Sequence, residues 1–169
     1  MSKVTIIYDS RTGHTEKMAH AVAAGVLGGG VEAIVKRVDY ATSDDLLTSD
    51  GVVLGSPCCY GQMSWKMKKF LDDNVHIWGK IDGKIGAAFV SGTAIGGGCE
   101  LTAMSLLTGL ISFGFLVFGV TEFISDELAV HYGAIALQEP RGGELKACRR
   151  LGEKMAEYVL QQAFAPVAS

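Results

Sequence analysis

Apolar runs of four to seven residues alternate along this chain with longer stretches whose apolar positions recur every three or four residues. The short runs read as strands buried on both faces and the longer stretches as helices, the alternation that builds βαβ units around a parallel sheet. Five strands are predicted, at Lys3 to Tyr8, Val31 to Val38, Gly51 to Gly55, Ile85 to Ser91 and Phe115 to Phe118. The last is wholly apolar, as expected of a strand covered on both sides. The first helix, Thr15 to Leu27, aligns Met18, Ala19, Val22, Ala23 and Val26 on one stripe and stops at Gly28-Gly29-Gly30. A capped helical turn follows at Ser43 to Leu47, and further helices are predicted at Ser64 to Leu71, Cys99 to Ser112 and Gly143 to Gln162. The Cys99 to Ser112 segment is apolar nearly all round, which predicts burial on more than one side. With right-handed crossovers, these elements form an α/β doubly wound, five-stranded parallel sheet of order 2-1-3-4-5 with helices on both faces. A single domain spanning 1–169 is expected. Ligands then bind at the carboxyl ends of strands one, three and four. One connection is unusual: Gly119 to Gly142 spans about 24 residues, where a handful is ordinary.

Composition narrows the partner. A formal net charge of −3 without basic runs argues against a nucleic-acid surface or a polybasic membrane patch, and favours a small-molecule partner. The most hydrophobic stretch, Leu106 to Val120, is shorter than the roughly 20 residues a membrane helix needs and holds glycines, so no membrane insertion is expected. No signal-like leader is evident, and a cytoplasmic location is expected. Cys58, Cys59, Cys99 and Cys148 show no metal or redox spacing and read as reduced thiols; no metal is expected.

Three loops carry the chemistry. Ser10-Arg11-Thr12-Gly13-His14-Thr15-Glu16 joins a strand to a helix N-terminus, where unpaired N–H groups, the positive end of the helix dipole and three hydroxyls suit a phosphate monoester. It has neither the spacing nor the lysine of a triphosphate loop, and it lacks the dinucleotide fingerprint. A mononucleotide fits, and flavin mononucleotide (FMN) leads. An ordinary hydroxyl-capped turn is the competing reading. His14 is expected to orient this turn. The second loop, Ser56 to Ser64, contains Pro57, Cys58, Cys59, Tyr60 and Gly61, with a stiffened backbone and a ring able to lie beside a flat heterocycle. The third, Ser91-Gly92-Thr93-Ala94-Ile95-Gly96-Gly97-Gly98, strips side chains from the backbone so that a ring can approach its N–H groups.

Thr12-Gly13-His14-Thr15-Glu16 resembles the phosphate loop of flavodoxins. Gly55-Ser56-Pro57 with Tyr60-Gly61-Gln62-Met63, then Lys68 to Asp72, Gly92 to Glu100 and His131-Tyr132-Gly133-Ala134, resemble the flavodoxin-like NAD(P)H:quinone oxidoreductases, the tryptophan-repressor-binding-protein family. That resemblance implies that Ser10 to Thr15 hold the FMN phosphate, and that Cys58 to Tyr60 and Gly92 to Gly97 hold the rings. It further implies a catalytic His131 near the dimethylbenzene or pyrimidine edge of the ring, a surface hydrogen-bonding histidine being the competing reading, with Trp78 bordering a substrate pocket from its own or a neighbouring subunit. NADH or NADPH would be the electron donor, a quinone-like molecule the acceptor, and a homodimer or homotetramer the assembly. Cys58-Cys59 stands where the family has Thr-Arg, Ala94-Ile95 where it has Gly-Thr, and Thr12 where it has an aromatic. A one-electron flavodoxin acting on a protein partner stays open as the alternative.

Overall fold

A computed structural model describes residues 2–126 and 128–164. In chain order the elements are β1 (Lys3–Tyr8), α1 (His14–Gly28), β2 (Glu32–Arg37), α2 (Ser43–Leu47), β3 (Gly51–Pro57), α3 (Trp65–Asp73) and β4 (Ile85–Gly92). They continue with α4 (Cys99–Ser112), β5 (Leu116–Val117), β6 (Val120–Ser125), β7 (Leu128–Val130), β8 (Ala134–Leu137) and α5 (Gly142–Phe164). The main sheet runs β2-β1-β3-β4-β5, all parallel, in the order predicted.

Alternate residues of the central strands feed two separate cores, as the two-residue period of a strand requires. On one face Val4, Ile6, Val53 and Phe89 meet the apolar stripes of α1 and α5. On the other Ile7, Val52, Leu54 and Val90 meet α3 and α4. The α1–α5 crossing is close because Gly25 and Gly152 face the partner backbone: a Cβ on Gly25 would fall on the Arg149 carbonyl, and one on Gly152 on the Val22 carbonyl.

Two expectations are corrected. The fifth strand is not a continuous, doubly covered strand: β5 keeps only two residues, pairs with Ile85 and Gly86 at the start of β4, and leaves Leu116 exposed on the sheet edge. Its place beside the second half of β4 is taken by β8, in parallel register from Phe89↔Ala134 to Gly92↔Leu137. The long connection is therefore structured. Between β5 and β8 the chain leaves the sheet, forms the antiparallel β6–β7 pair and returns. The second correction concerns α4, which is buried on one side only. Leu101, Met104 and Ile111 stand exposed because, among the described residues, no element covers its outer face.

Candidate functional site

The parallel register brings the ends of β1, β3 and β4 side by side, with Tyr8 opposite Gly55 and Pro57 opposite Ser91. The three loops singled out in the sequence therefore emerge together from one end of the sheet. In the first loop Gly13 takes a left-handed conformation, φ 88°, and no side chain caps α1 directly. The Ser10 hydroxyl instead accepts the N–H groups of Gly13 at 3.1 Å and Glu16 at 3.4 Å, folding the loop back on itself. His14 and Thr15 lie in the first turn of a 15-residue helix, where no carbonyl four residues earlier is available to their N–H groups. Arg11 and Thr12 are exposed at the loop tip. Thr15 is turned inward, its hydroxyl 2.8 Å from that of Ser91 at the end of β4. Below the loop, the Tyr8 hydroxyl donates to Glu16 at 2.7 Å, and burial followed by this bond pushes the phenol up to about 12.

The second loop ends in a two-residue turn. Cys59 and Gln62 exchange backbone hydrogen bonds of 2.9 and 3.1 Å, and Tyr60 and Gly61 between them both have positive φ. For Tyr60, at φ 55°, this conformation costs about 1–2 kcal/mol. The ring that bears this strain is wholly exposed at the tip of the turn. Cys59 lies toward Arg11; burial raises its thiol pKa and the guanidinium opposes that rise. Pro57 ends β3, and the Cys58 N–H donates to the Ser91 carbonyl at 2.7 Å.

The third loop leaves β4 at Gly92, exposes Thr93, Ala94, Ile95, Gly96 and Gly97, and enters α4 through Gly98. Gly97 N–H closes a turn onto the Ala94 carbonyl at 3.1 Å. The second and third loops touch at two glycines, since a Cβ on Gly98 would lie 2.9 Å from the Gly61 Cα. A fourth wall comes from the segment after β8, where Gln138 donates its backbone N–H to the Gly92 carbonyl and its side-chain amide to the Thr93 carbonyl.

His131 is exposed beside the β6–β7 pair, its ring edge-on to Phe123 at 5.4 Å. It lines a cleft of about 620 Å³ with Ile95, Glu100, Tyr132 and Leu137, so the excursion between β5 and β8 brings it to the third loop. Trp78 is not brought to these loops within one chain. It follows α3 at the opposite, amino end of the strands, where its indole N–H donates to the Ser112 carbonyl at the end of α4.

One participant escaped the sequence reading, and one residue of the third loop has a role that reading did not give it. Arg37 ends β2 opposite Tyr8, donates to the Ser10 carbonyl at 3.1 Å and stands over the Tyr8 ring, which puts a cation against the first loop. Ser91 ties that loop to β4. Only the neighbour order of the strands could have signalled either. All four cysteines are free thiols. Among the described residues, no cluster of three His, Cys, Asp or Glu side chains could hold a metal ion, and no helix is long and apolar enough to cross a membrane.

A doubly wound sheet whose first, third and fourth strands end in a hydroxyl-rich turn, an aromatic-tipped turn and a glycine loop has the architecture of the flavodoxin-like α/β proteins, with its loops gathered at the switch point. The Flavodoxin family profile matches residues 6–119, and the chain belongs to the flavodoxin family. It is 52% identical to "Flavodoxin" of Aquifex aeolicus over 94% of this chain and 88% of that protein. It is also 32% identical to "NAD(P)H dehydrogenase (quinone)" of Archaeoglobus fulgidus, over 93% of this chain and 97% of that one. Among solved structures, the flavodoxin, WrbA-like protein from Agrobacterium tumefaciens superposes with a TM-score of 0.78 at 25% identity, covering 95% of this chain and 99% of the other.

Proposed function

We propose that the protein binds FMN and uses it to pass two electrons from NADH or NADPH to a quinone-like acceptor. The residues present fit the cofactor. Ser10, Thr12 and the first turn of α1, with Arg11 and Arg37 beside them, would hold the phosphate. Tyr60 offers a face to the ring, and the backbone of Gly92, Thr93, Ala94, Ile95, Gly96 and Gly97 offers N–H groups to its polar edge, with Pro57, Cys58, Cys59 and Gly61 setting the height of the opposite wall. Bound there, FMN supplies the redox chemistry, and the protein's part is orientation and hydrogen bonding. The observation that carries the enzyme reading is the cleft of about 620 Å³ between the third loop and His131, large enough for a small aromatic acceptor. His131 would position that acceptor or deliver a proton to it, which an imidazole does well near neutral pH.

One observation favours a carrier that serves a protein partner. Alignments with the quinone dehydrogenases of Rhodopseudomonas palustris run over 196 positions against the 169 residues of this chain, so those relatives hold segments that this chain lacks. The Aquifex flavodoxin aligns over 162 positions. Anaerobic titration of the FMN-loaded protein separates the two readings. The enzyme reading expects NADH or NADPH to bleach the flavin in one two-electron step and benzoquinone to restore it, with His131→Ala slowing turnover by roughly ten- to a hundredfold at unchanged FMN affinity. Failure of both nicotinamides to reduce the flavin assigns the carrier role.

A further inference from the structure

The thiols of Cys58 and Cys99 meet where the second and third loops leave the sheet. Cys58 is half-buried, and its S–H donates to the Gly97 carbonyl at 3.1 Å. Cys99, buried in the first turn of α4, has its sulfur beside Gly92, next to the Cys58 side chain, and the two thiols act on one another electrostatically. The space for this pair is built into the backbone. A Cβ on Gly92 would fall on the Cys99 sulfur and lie 3.8 Å from the Cys58 Cβ, and one on Gly98 would lie 4.0 Å from the Cys58 sulfur. Cys59 has its backbone locked to Gln62, and its thiol feels Arg11 more strongly than Cys58.

We propose that Cys58 and Cys99 form a reversible disulfide under hydroperoxide, cross-linking the second loop to the start of α4. The more accessible Cys58 sulfur attacks the peroxide: an S–O bond forms, the O–O bond breaks, and the released alkoxide leaves as alcohol with the Cys58 proton. The Cys99 sulfur then displaces hydroxide from the Cys58 sulfenic acid, and the Cys99 proton departs with that hydroxide as water. Two thiols lose two electrons and one hydroperoxide gains them. Burial and the Cys58 contact hold the Cys99 thiol up at about 12, so Cys99 is unsuited to react first with solvent oxidants. Its place beside Gly92, against the Cys58 side chain, sets it within reach for the second step. The cross-link fixes the distance between two loops that the FMN reading places around the ring. That consequence alone rests on the FMN reading.

The test begins with the full chain without added flavin, treated with hydrogen peroxide and mapped by mass spectrometry without reduction. The expected product has lost two hydrogens, contains a Cys58–Cys99 linked peptide and returns to the dithiol with dithiothreitol. Cys58→Ser and Cys99→Ser each abolish it, while Cys59→Ser still forms it. A Cys58–Cys59 link, a link between chains, or accumulation of the Cys58 sulfinic acid with Cys99 untouched overturns the proposal. On the FMN-loaded protein the cross-link slows exchange of bound for free FMN by about tenfold, the scale expected when loop opening is restrained. Unchanged exchange in a fully cross-linked sample removes the functional consequence. Absence of FMN binding with an intact cross-link counts against the flavin reading instead.

Discussion

The two threonines of the first loop look equivalent in sequence, and the fold divides them. Thr12 is exposed at the loop tip, whereas Thr15 is buried against the Ser91 hydroxyl. Thr12→Ala is expected to weaken FMN binding by about 1.5 kcal/mol, roughly tenfold, and to leave the midpoint of urea unfolding unchanged. Thr15→Ala is expected to lower that midpoint as well, by about 1 kcal/mol of stability, because it leaves the buried Ser91 hydroxyl without its partner. Equal unfolding curves for the two variants would remove the distinction. The same scale explains why Arg37 was missed, since nothing at the end of its own strand marks a ligand. Its role appears only through the register that sets it beside Tyr8.

Single elements here depend on a few polar ties. The short helix α2 is capped by Asp45, whose carboxylate accepts the Thr42 N–H at 2.8 Å and pairs with Lys36 at 2.7 Å. Burial alone would raise this carboxyl, but the Lys36 and Thr42 bonds outweigh it and hold it below the ordinary carboxylate range. A depressed folded pKa stabilises above the unfolded value, near pH 4, and that stabilisation is lost as pH falls through the folded value. Asp45→Asn is therefore expected to cost about 1–2 kcal/mol at pH 7 and progressively less toward pH 2, read from urea midpoints across pH. A pH-independent difference would sink this account. The β6–β7 pair is tied to α5 by Arg150, which donates two bonds to Glu122 at 2.8 and 2.7 Å and also reaches Glu153 and Glu157. Arg150→Ala should speed amide hydrogen exchange in β6 and β7 while leaving β1, β3 and β4 protected. Uniform loss of protection would show that Arg150 holds the whole fold and not this excursion.

For the molecule as a whole, the outer face of α4 is the part that a single chain leaves unfinished. Leu101, Met104 and Ile111 are exposed there, with Trp65 and Trp78 on neighbouring segments. Self-association over this face is our expectation, since large aromatic and aliphatic side chains in one exposed region suit a subunit contact. It would also give Trp78 a route to the loops of another copy. Sedimentation at micromolar concentration should show a dimer or tetramer, and Leu101→Asp with Ile111→Asp should shift it to monomer. A wild-type monomer refutes the expectation. The proposed Cys58–Cys99 disulfide and the nicotinamide titration test the loops that converge at the start of α4, where Leu101 also lies.

Periodicity and loop chemistry are local properties, and they were legible without the fold. The strand–helix alternation, the sheet order and the gathering of three loops at one end of the sheet follow from apolar spacing, glycine placement and the one-sided rule for crossovers. The excursion was hidden because it depends on a competition across space. The four apolar residues Phe115 to Phe118 are consistent with a full strand, yet Ala134 to Leu137 pair with the second half of β4 in their place. An apolar run states that a segment prefers burial and does not state which edge it will occupy. The contacts of Arg37 with the first loop, of Ser91 with Thr15 and of Cys58 with Cys99 join residues from different elements. Only the tertiary structure decided them, because strand register and helix crossing place those atoms together, and no spacing along the chain records that placement.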